Sequence, residues 1–148
     1  MQTYAPITLN DGWCYFFSDN ARASFNTVDL NSLPWIPLPK LSDWMITSTV
    51  HFGADWFWRS ISLDMSDPLT TVHLKMDKVP DSVAVYINGT EVTGVHGRRG
   101  ISADVTPYLH SGTNNIVIKL VCNRCSNGGR FVNVHLQPSR NDNVVYAY

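Results

Sequence analysis

Apolar residues along this chain recur at every second position, and no stretch of about ten residues carries a good i, i+3, i+4, i+7 stripe. WFWRSISLDM sets Phe57, Arg59, Ile61 and Leu63 against Trp58, Ser60 and Ser62. TTVHLKM puts Val72, Leu74 and Met76 on one face and His73 and Lys75 on the other. SVAVYIN aligns Val83, Val85 and Ile87, and NNIVIKLVC aligns Ile116, Ile118, Leu120 and Cys122 with Lys119 turned away. RFVNVHLQP groups Val132, Val134 and Leu136 against Phe131, Asn133, His135 and Gln137. GWCYFFS, an aromatic run after the NDG turn, and WMITSTVHF, which alternates loosely, complete the set. Together they predict about eight strands of roughly five to nine residues. Each strand buries one face, as strands of antiparallel sheets do. Two such sheets packed face to face give an all-β fold, a single antiparallel β-sandwich.

The turns between the strands have their own signals. Asn88-Gly89 is the strongest short hairpin signal, because both central positions of a type I′ turn need positive φ. Asp104 and Thr106 frame a tight turn in which Asp accepts local backbone donors, and Gly112 and Asn114 reset the chain before a long strand. DLNSLPWIPLPKLSDW carries Pro34, Pro37 and Pro39, which lack backbone donors, so it is expected to be a long ordered loop and not a central strand. Residues 1–138 are expected to form the sandwich. Residues 139–148 are expected to form a tail ending in the uncharged NVVYAY, docked on the domain or on a neighbouring subunit.

Composition narrows the function. The chain has 148 residues, one domain's worth, and is 44% hydrophobic, which argues against disorder. Only 16% is charged while 11% is aromatic. A net charge of −1 argues against nucleic acid, which needs a basic footprint. No apolar run approaches the roughly 18 residues of a membrane span. MQTYAPITLNDGW lacks the basic-then-apolar pattern of a secretory signal, so a cytoplasmic location is the default expectation. N-G-T at Asn88 matches a glycosylation acceptor, but the hairpin turn explains it.

Candidate chemistry is sparse. Of three cysteines, Cys122 and Cys125 have C-x-x-C spacing, but a structural zinc site wants four ligands and there is no second pair. Cys122 is expected to be a strand-end core residue, with a Cys122–Cys125 bridge as the alternative. The five histidines stand singly, so neither a metal nor another cofactor is expected. Glu91 is the only glutamate, and most aspartates sit at turns. G-x-S-x-G, P-loop and H-E-x-x-H motifs are absent.

Six pieces in register carry a resemblance: ITLNDGWCYFF, LPWIPLPKLSDW, DWFWRSISL, VAVYINGTEV, ISADVTPYLHSGTNNIVIKL and GGRFVNVHL. The most specific is VYING followed by D-V-T-x-x-L-x-x-G-x-N. The chain resembles the N-terminal sugar-binding domain of glycoside hydrolase family 2, the β-galactosidase and β-glucuronidase family. The resemblance implies a galactose-binding-like jelly roll. It also implies that catalysis would lie in a separate (β/α)₈ barrel with two glutamates, since glycoside hydrolysis needs paired carboxylates. This chain has no such barrel, so a non-catalytic module is expected. The segment before the closing motif is only NRCSNGG, shorter than in those enzymes.

Two functions follow as expectations. One is carbohydrate binding on aromatic faces with a few polar groups. Its candidate residues are Trp56 and Trp58, with His96, Arg98 and Arg99 in the GVHGRRG loop and Arg124 in CNRC. Alternation is expected to turn one of Trp56 and Trp58 into the core, and Trp13, Trp35 and Trp44 match family positions that pack under loops. The other is a structural or accessory subunit that docks another protein, or forms an oligomer, through the tail. A fragment of a larger hydrolase is the third alternative.

Overall fold

The computed structural model describes residues 2–18, 32–44, 54–79, 83–93, 99–121 and 130–140. Among them are eleven strands and no α-helix. In chain order these are β1 (Gln2–Thr3), β2 (Ile7–Thr8), β3 (Asp11–Ser18), β4 (Ile36–Lys40), β5 (Ala54–Leu63) and β6 (Thr70–Lys78). They continue with β7 (Val83–Ile87), β8 (Thr90–Glu91), β9 (Arg99–Asp104), β10 (Gly112–Val121) and β11 (His135–Arg140). One sheet runs β1-β11-β6-β9, with β2 also on β11, and the other runs β4-β3-β5-β10-β7-β8. Every pairing is antiparallel. The chain is the all-β sandwich that the alternation predicts.

The core lies between the sheets. Val72, Leu74 and Met76 of β6 and Leu136 of β11 are buried from one side. Phe57 of β5, Val83, Val85 and Ile87 of β7, and Ile116, Ile118 and Leu120 of β10 are buried from the other. Each such side chain removed from water contributes about 1.5–3 kcal/mol before entropy is counted. A second cluster covers the outer face of the six-stranded sheet, where Phe16, Trp56 and Val117 are buried and Trp35, Trp58 and Tyr86 pack on them.

The turn signals hold, and a fully satisfied buried amide links them. Asn88 and Gly89 have φ of 52° and 85°, closing the β7–β8 hairpin. Asn114 is wholly buried. Its Oδ1 accepts from the His110 amide at 3.0 Å and from Asn88 Nδ2 at 2.9 Å. Its Nδ2 donates to the carbonyls of His110 and Gly112 at 2.8 and 3.1 Å. Asp104 Oδ1 accepts from the Thr106 amide at 3.0 Å, and Thr106 Oγ1 accepts from the Val72 amide at 2.8 Å. These residues of the most specific motif tie the β9–β10 connection to the hairpin and to β6. The Asn88 amide is committed to Tyr108 and Asn114, which explains N-G-T without a glycan.

Two segments differ from expectation. The proline-rich stretch is not loop throughout: residues 36–40 form β4, with Pro37 opposite Cys14. β4 is an edge strand, where a missing donor is tolerated. In RFVNVHLQP the alternation breaks, because Phe131, Val134 and Leu136 are the buried residues and Val132 is half-buried. Asn133 sits between them at φ 54°, a left-handed conformation that Asn tolerates better than most residues. That one residue shifts the frame and lets Phe131 pack on Phe57 at 5.1 Å and on Trp44 at 6.0 Å. β11 continues through Ser139 and Arg140, paired with Thr71 and Thr70. The NVVYAY tail and WMITSTVHF lie largely or wholly outside the described residues.

Candidate functional site

Three segments far apart in sequence meet beside β3 and β4. They are the β2–β3 turn at Leu9 and Asn10, the 3-10 turn Leu41–Asp43 after β4, and the approach to β11 at residues 130–134. The Leu9 amide donates to the Val134 carbonyl at 2.8 Å, and the Ser42 amide donates to Asn10 Oδ1 at 3.0 Å. Arg59 reaches under the β2–β3 turn, its Nη1 donating to the Asp11 carbonyl at 2.8 Å and forming a 3.5 Å ion pair with the Asp11 carboxylate. Gly12 follows at φ 78°, which suits a residue without Cβ.

The three segments enclose a cavity of about 410 Å³, within the roughly 300–1,000 Å³ of ligand pockets. Its floor is apolar, from the buried Phe131 and Val134, with Val132 beside them. Its rim is polar: Thr8, Asn10, Ser42, Asn133 and Arg130. No aspartate or glutamate among the described residues lines it. Each of the two amides is held at one end. Asn10 Oδ1 is used by Ser42, and Asn133 Nδ2 donates to Asp77 Oδ2 at 2.9 Å. The opposite ends, a donor on Asn10 and an acceptor on Asn133, have no partner among the described residues. With the Thr8 and Ser42 hydroxyls, the rim offers donors and acceptors from fixed positions over an apolar floor.

The residues picked from sequence lie elsewhere. Trp56 and Trp58 are two apart on one strand, so they share a face, and that face is the outer one. The expectation that one of them enters the core is corrected by this period-two geometry. Trp56 is only 2% exposed, stacked on Phe16 at 6.3 Å and 6° and covered by Lys119 Nζ at 5.0 Å. With its face covered it is a packing residue and not a sugar platform. Burial on this face depresses the Lys119 amine below its usual range, against an opposing pull from Glu91. Trp58 is half-buried, packs on Trp35 at 5.5 Å and donates from Nε1 to Asn115 Oδ1 at 3.0 Å. Arg99 opens β9 opposite Lys78. His96, Arg98, Arg124, Cys122 and Cys125 lie outside the described residues. Trp13 and Trp44 pack inside, Trp13 at 2% exposure and Trp44 edge-on to Phe57 at 5.2 Å.

Sequence reasoning passed over the cavity residues. Asn10 was readable as a turn residue, and Arg130 and Asn133 lie inside the closing GGRFVNVHL piece. Among the described residues no three His, Cys, Asp or Glu side chains gather to hold a metal ion. No helix among those residues is long and apolar enough to cross a membrane.

No protein-family model and no curated protein sequence matches the chain. Solved structures do match in fold. A β-glucuronidase from Bacteroides uniformis superposes with TM-score 0.67 at 20% identity, over 93% of this chain and 18% of that one. A β-glycosidase from Bacteroides vulgatus gives 0.67 at 21% identity, over 93% and 20%. A glycosyl hydrolase family 2 member from Bacteroides cellulosilyticus gives 0.68 at 15% identity, over 93% and 21%. The chain shares its fold with one part of these glycoside hydrolases. It spans about a fifth of their length, a domain-sized portion.

Proposed function

We propose that the chain is a non-catalytic carbohydrate-binding module that holds a saccharide in the cavity between the β2–β3 turn, the Leu41–Asp43 turn and residues 130–134. The observation that carries this reading is the pair of half-used amides, Asn10 and Asn133, which line one cavity together with Thr8, Ser42 and the apolar Phe131, Val132 and Val134. Sugars present the matching pattern, hydroxyls that donate and accept around an apolar ring face. The fold shared with part of several glycosidases supports it by analogy. Among the described residues no carboxylate lines the cavity, whereas hydrolysis needs two, which supports binding without hydrolysis. Calorimetric titration with a panel of mono- and disaccharides tests the proposal. Binding that Asn10→Ala weakens at least fivefold supports it, and no heat at millimolar ligand overturns it.

A second reading, an accessory subunit in a protein assembly, draws on two apolar residues of the same sheet. Ile36 of β4 is 55% exposed and Phe17 of β3 is 43% exposed. Large side chains left this open are the kind that interfaces cover. Sedimentation of the chain beside its Ile36→Asp variant tests this: self-association weakened by the substitution supports it, and a monomer in both cases counts against it.

A further inference from the structure

Among the described residues, the strand β9 (Arg99–Asp104) pairs on one side only. Its partner is β6, in one unbroken register from His73 opposite Asp104 to Lys78 opposite Arg99. The Val105 amide donates to the Val72 carbonyl at 2.9 Å, and bonded pairs alternate along an antiparallel ladder. Ala103 and Ile101 therefore turn their backbone groups to β6, and Gly100, Ser102 and Asp104 turn theirs outward. These three residues are exposed, and no described residue takes an outward backbone bond from them. Sheet borders are usually guarded by shortness, proline, charge or a bulge. Among the described residues the other borders are the two-residue strands β1, β2 and β8 or the proline-bearing β4. β9 has six residues, no proline, no break in register and no charge between Arg99 and Asp104.

We infer that this border receives residues 143–148, NVVYAY, of a second copy of the chain as an added strand. The segment suits the border: it is rich in β-branched and aromatic residues and has neither charge nor proline. On a strand, Val144, Tyr146 and Tyr148 share one face and Val145 and Ala147 the other. An apolar row thus continues the buried Ile101 and Ala103 in either register. The chain's own tail is badly placed for the same border. Arg140 lies opposite Thr70 and Asp104 opposite His73, and both β6 and β9 stand between β11 and the open side. Crossing three strand spacings and returning three residues along the sheet takes about 17 Å, or about five residues of extended chain. The Thr106–Tyr108 turn, bonded to Val72 at that end of β6, lengthens the path further. A second copy has no such constraint, and tails exchanged in both directions use both borders and close a dimer. This contact uses neither the cavity nor the Ile36 patch, so it stands apart from both readings above.

Sedimentation equilibrium of the full chain over a wide concentration range, read beside amide hydrogen exchange, tests this. The expected result is a concentration-dependent dimer, with exchange at the Gly100, Ser102 and Asp104 amides slowed at least tenfold as it forms. Ser102→Pro removes an outward donor at an edge position, where proline is tolerated. Val145→Lys places a charge in the tail without touching β9. Each is expected to weaken the dimer at least tenfold, while Ile36→Asp leaves it unchanged. If Ser102→Pro does not fold, Val145→Lys and the exchange pattern decide alone. A wild type that stays monomeric at every concentration overturns the inference. So does a dimer that survives Val145→Lys, or one that slows exchange elsewhere and not at β9. A dimer lost in Ile36→Asp but kept in Val145→Lys overturns it in favour of the Ile36 patch.

Discussion

The Tyr15 hydroxyl donates to the Asp55 carboxylate at 2.6 Å, and Asp55 is completely buried. The two residues sit on neighbouring strands, β3 and β5. Burial first, then the hydrogen bond to Asp55 and its negative charge, push the Tyr15 phenol well above its ordinary range. A raised folded value means the pair's stabilisation is complete below the ordinary tyrosine pKa of about 10 and is lost as pH rises beyond it.

That relationship predicts a measurable alkaline weakness. Tyr15→Phe is expected to cost about 2 kcal/mol at neutral pH, the usual worth of a hydrogen bond to a charged group. In spectrophotometric titration one tyrosine of the wild type should resist ionisation after the others have titrated. The resistant signal should vanish in Tyr15→Phe. A variant that keeps it would show that another tyrosine is responsible.

Asn114 should be among the least replaceable polar residues. Asn114→Ala removes four hydrogen bonds at a buried site and strands the partners that used them. An expected loss of at least about 3 kcal/mol follows from the cost of unsatisfied buried groups. Urea denaturation measures it. A loss under about 1 kcal/mol would mean that water replaces the amide.

Trp56 and Trp58 should separate stability from binding. Trp56→Ala empties a covered aromatic position and is expected to cost about 3–5 kcal/mol. Trp58→Phe keeps an aromatic ring but loses part of the indole's packing on Trp35 and the 3.0 Å bond to Asn115, for at least about 1 kcal/mol. Where the variants remain folded, saccharide affinity should match the wild type. A tenfold loss of affinity in Trp58→Phe would move the binding site to the outer face.

Asn133 couples the fold to the cavity. Asn133→Gly keeps the left-handed backbone and should change stability by less than about 1 kcal/mol. Asn133→Val forces a β-branched residue to φ 54° and should cost about 2 kcal/mol or more. Both variants lose the Asn133 acceptor in the cavity, so both should weaken saccharide binding despite their different stabilities. Thermal melts read beside calorimetry distinguish the two effects.

Most of the fold is legible in the sequence because its signals are local. Alternation in β6, β7 and β10 names the buried rows, and Asn88-Gly89 names the hairpin. Misreadings occur where a local rule meets a distant partner. Prolines said loop, but among the described residues Ile36–Lys40 pairs on one side only, with β3, and an edge needs fewer donors. Alternation said Val132, but the left-handed Asn133 reset the frame. The cavity is the least legible feature. Asn10, Ser42 and Arg130 share no spacing or motif, and only the folded chain brings them together. Aromatic abundance instead drew attention to Trp56, which the structure uses as packing.

The prolines of β4 have one more consequence. Pro37 and Pro39 are two apart, so their nitrogens point the same way, and a strand paired with β3 must turn its working donors inward. The outermost strand of the six-stranded sheet among the described residues therefore lacks two successive N–H groups where an incoming strand would seek them. Zipper-like growth of copies along that border is blocked at the backbone. The opposite border, β8, is only two residues long. Among the described residues, association through this sheet is thereby steered from its backbone borders to the side chains on its faces.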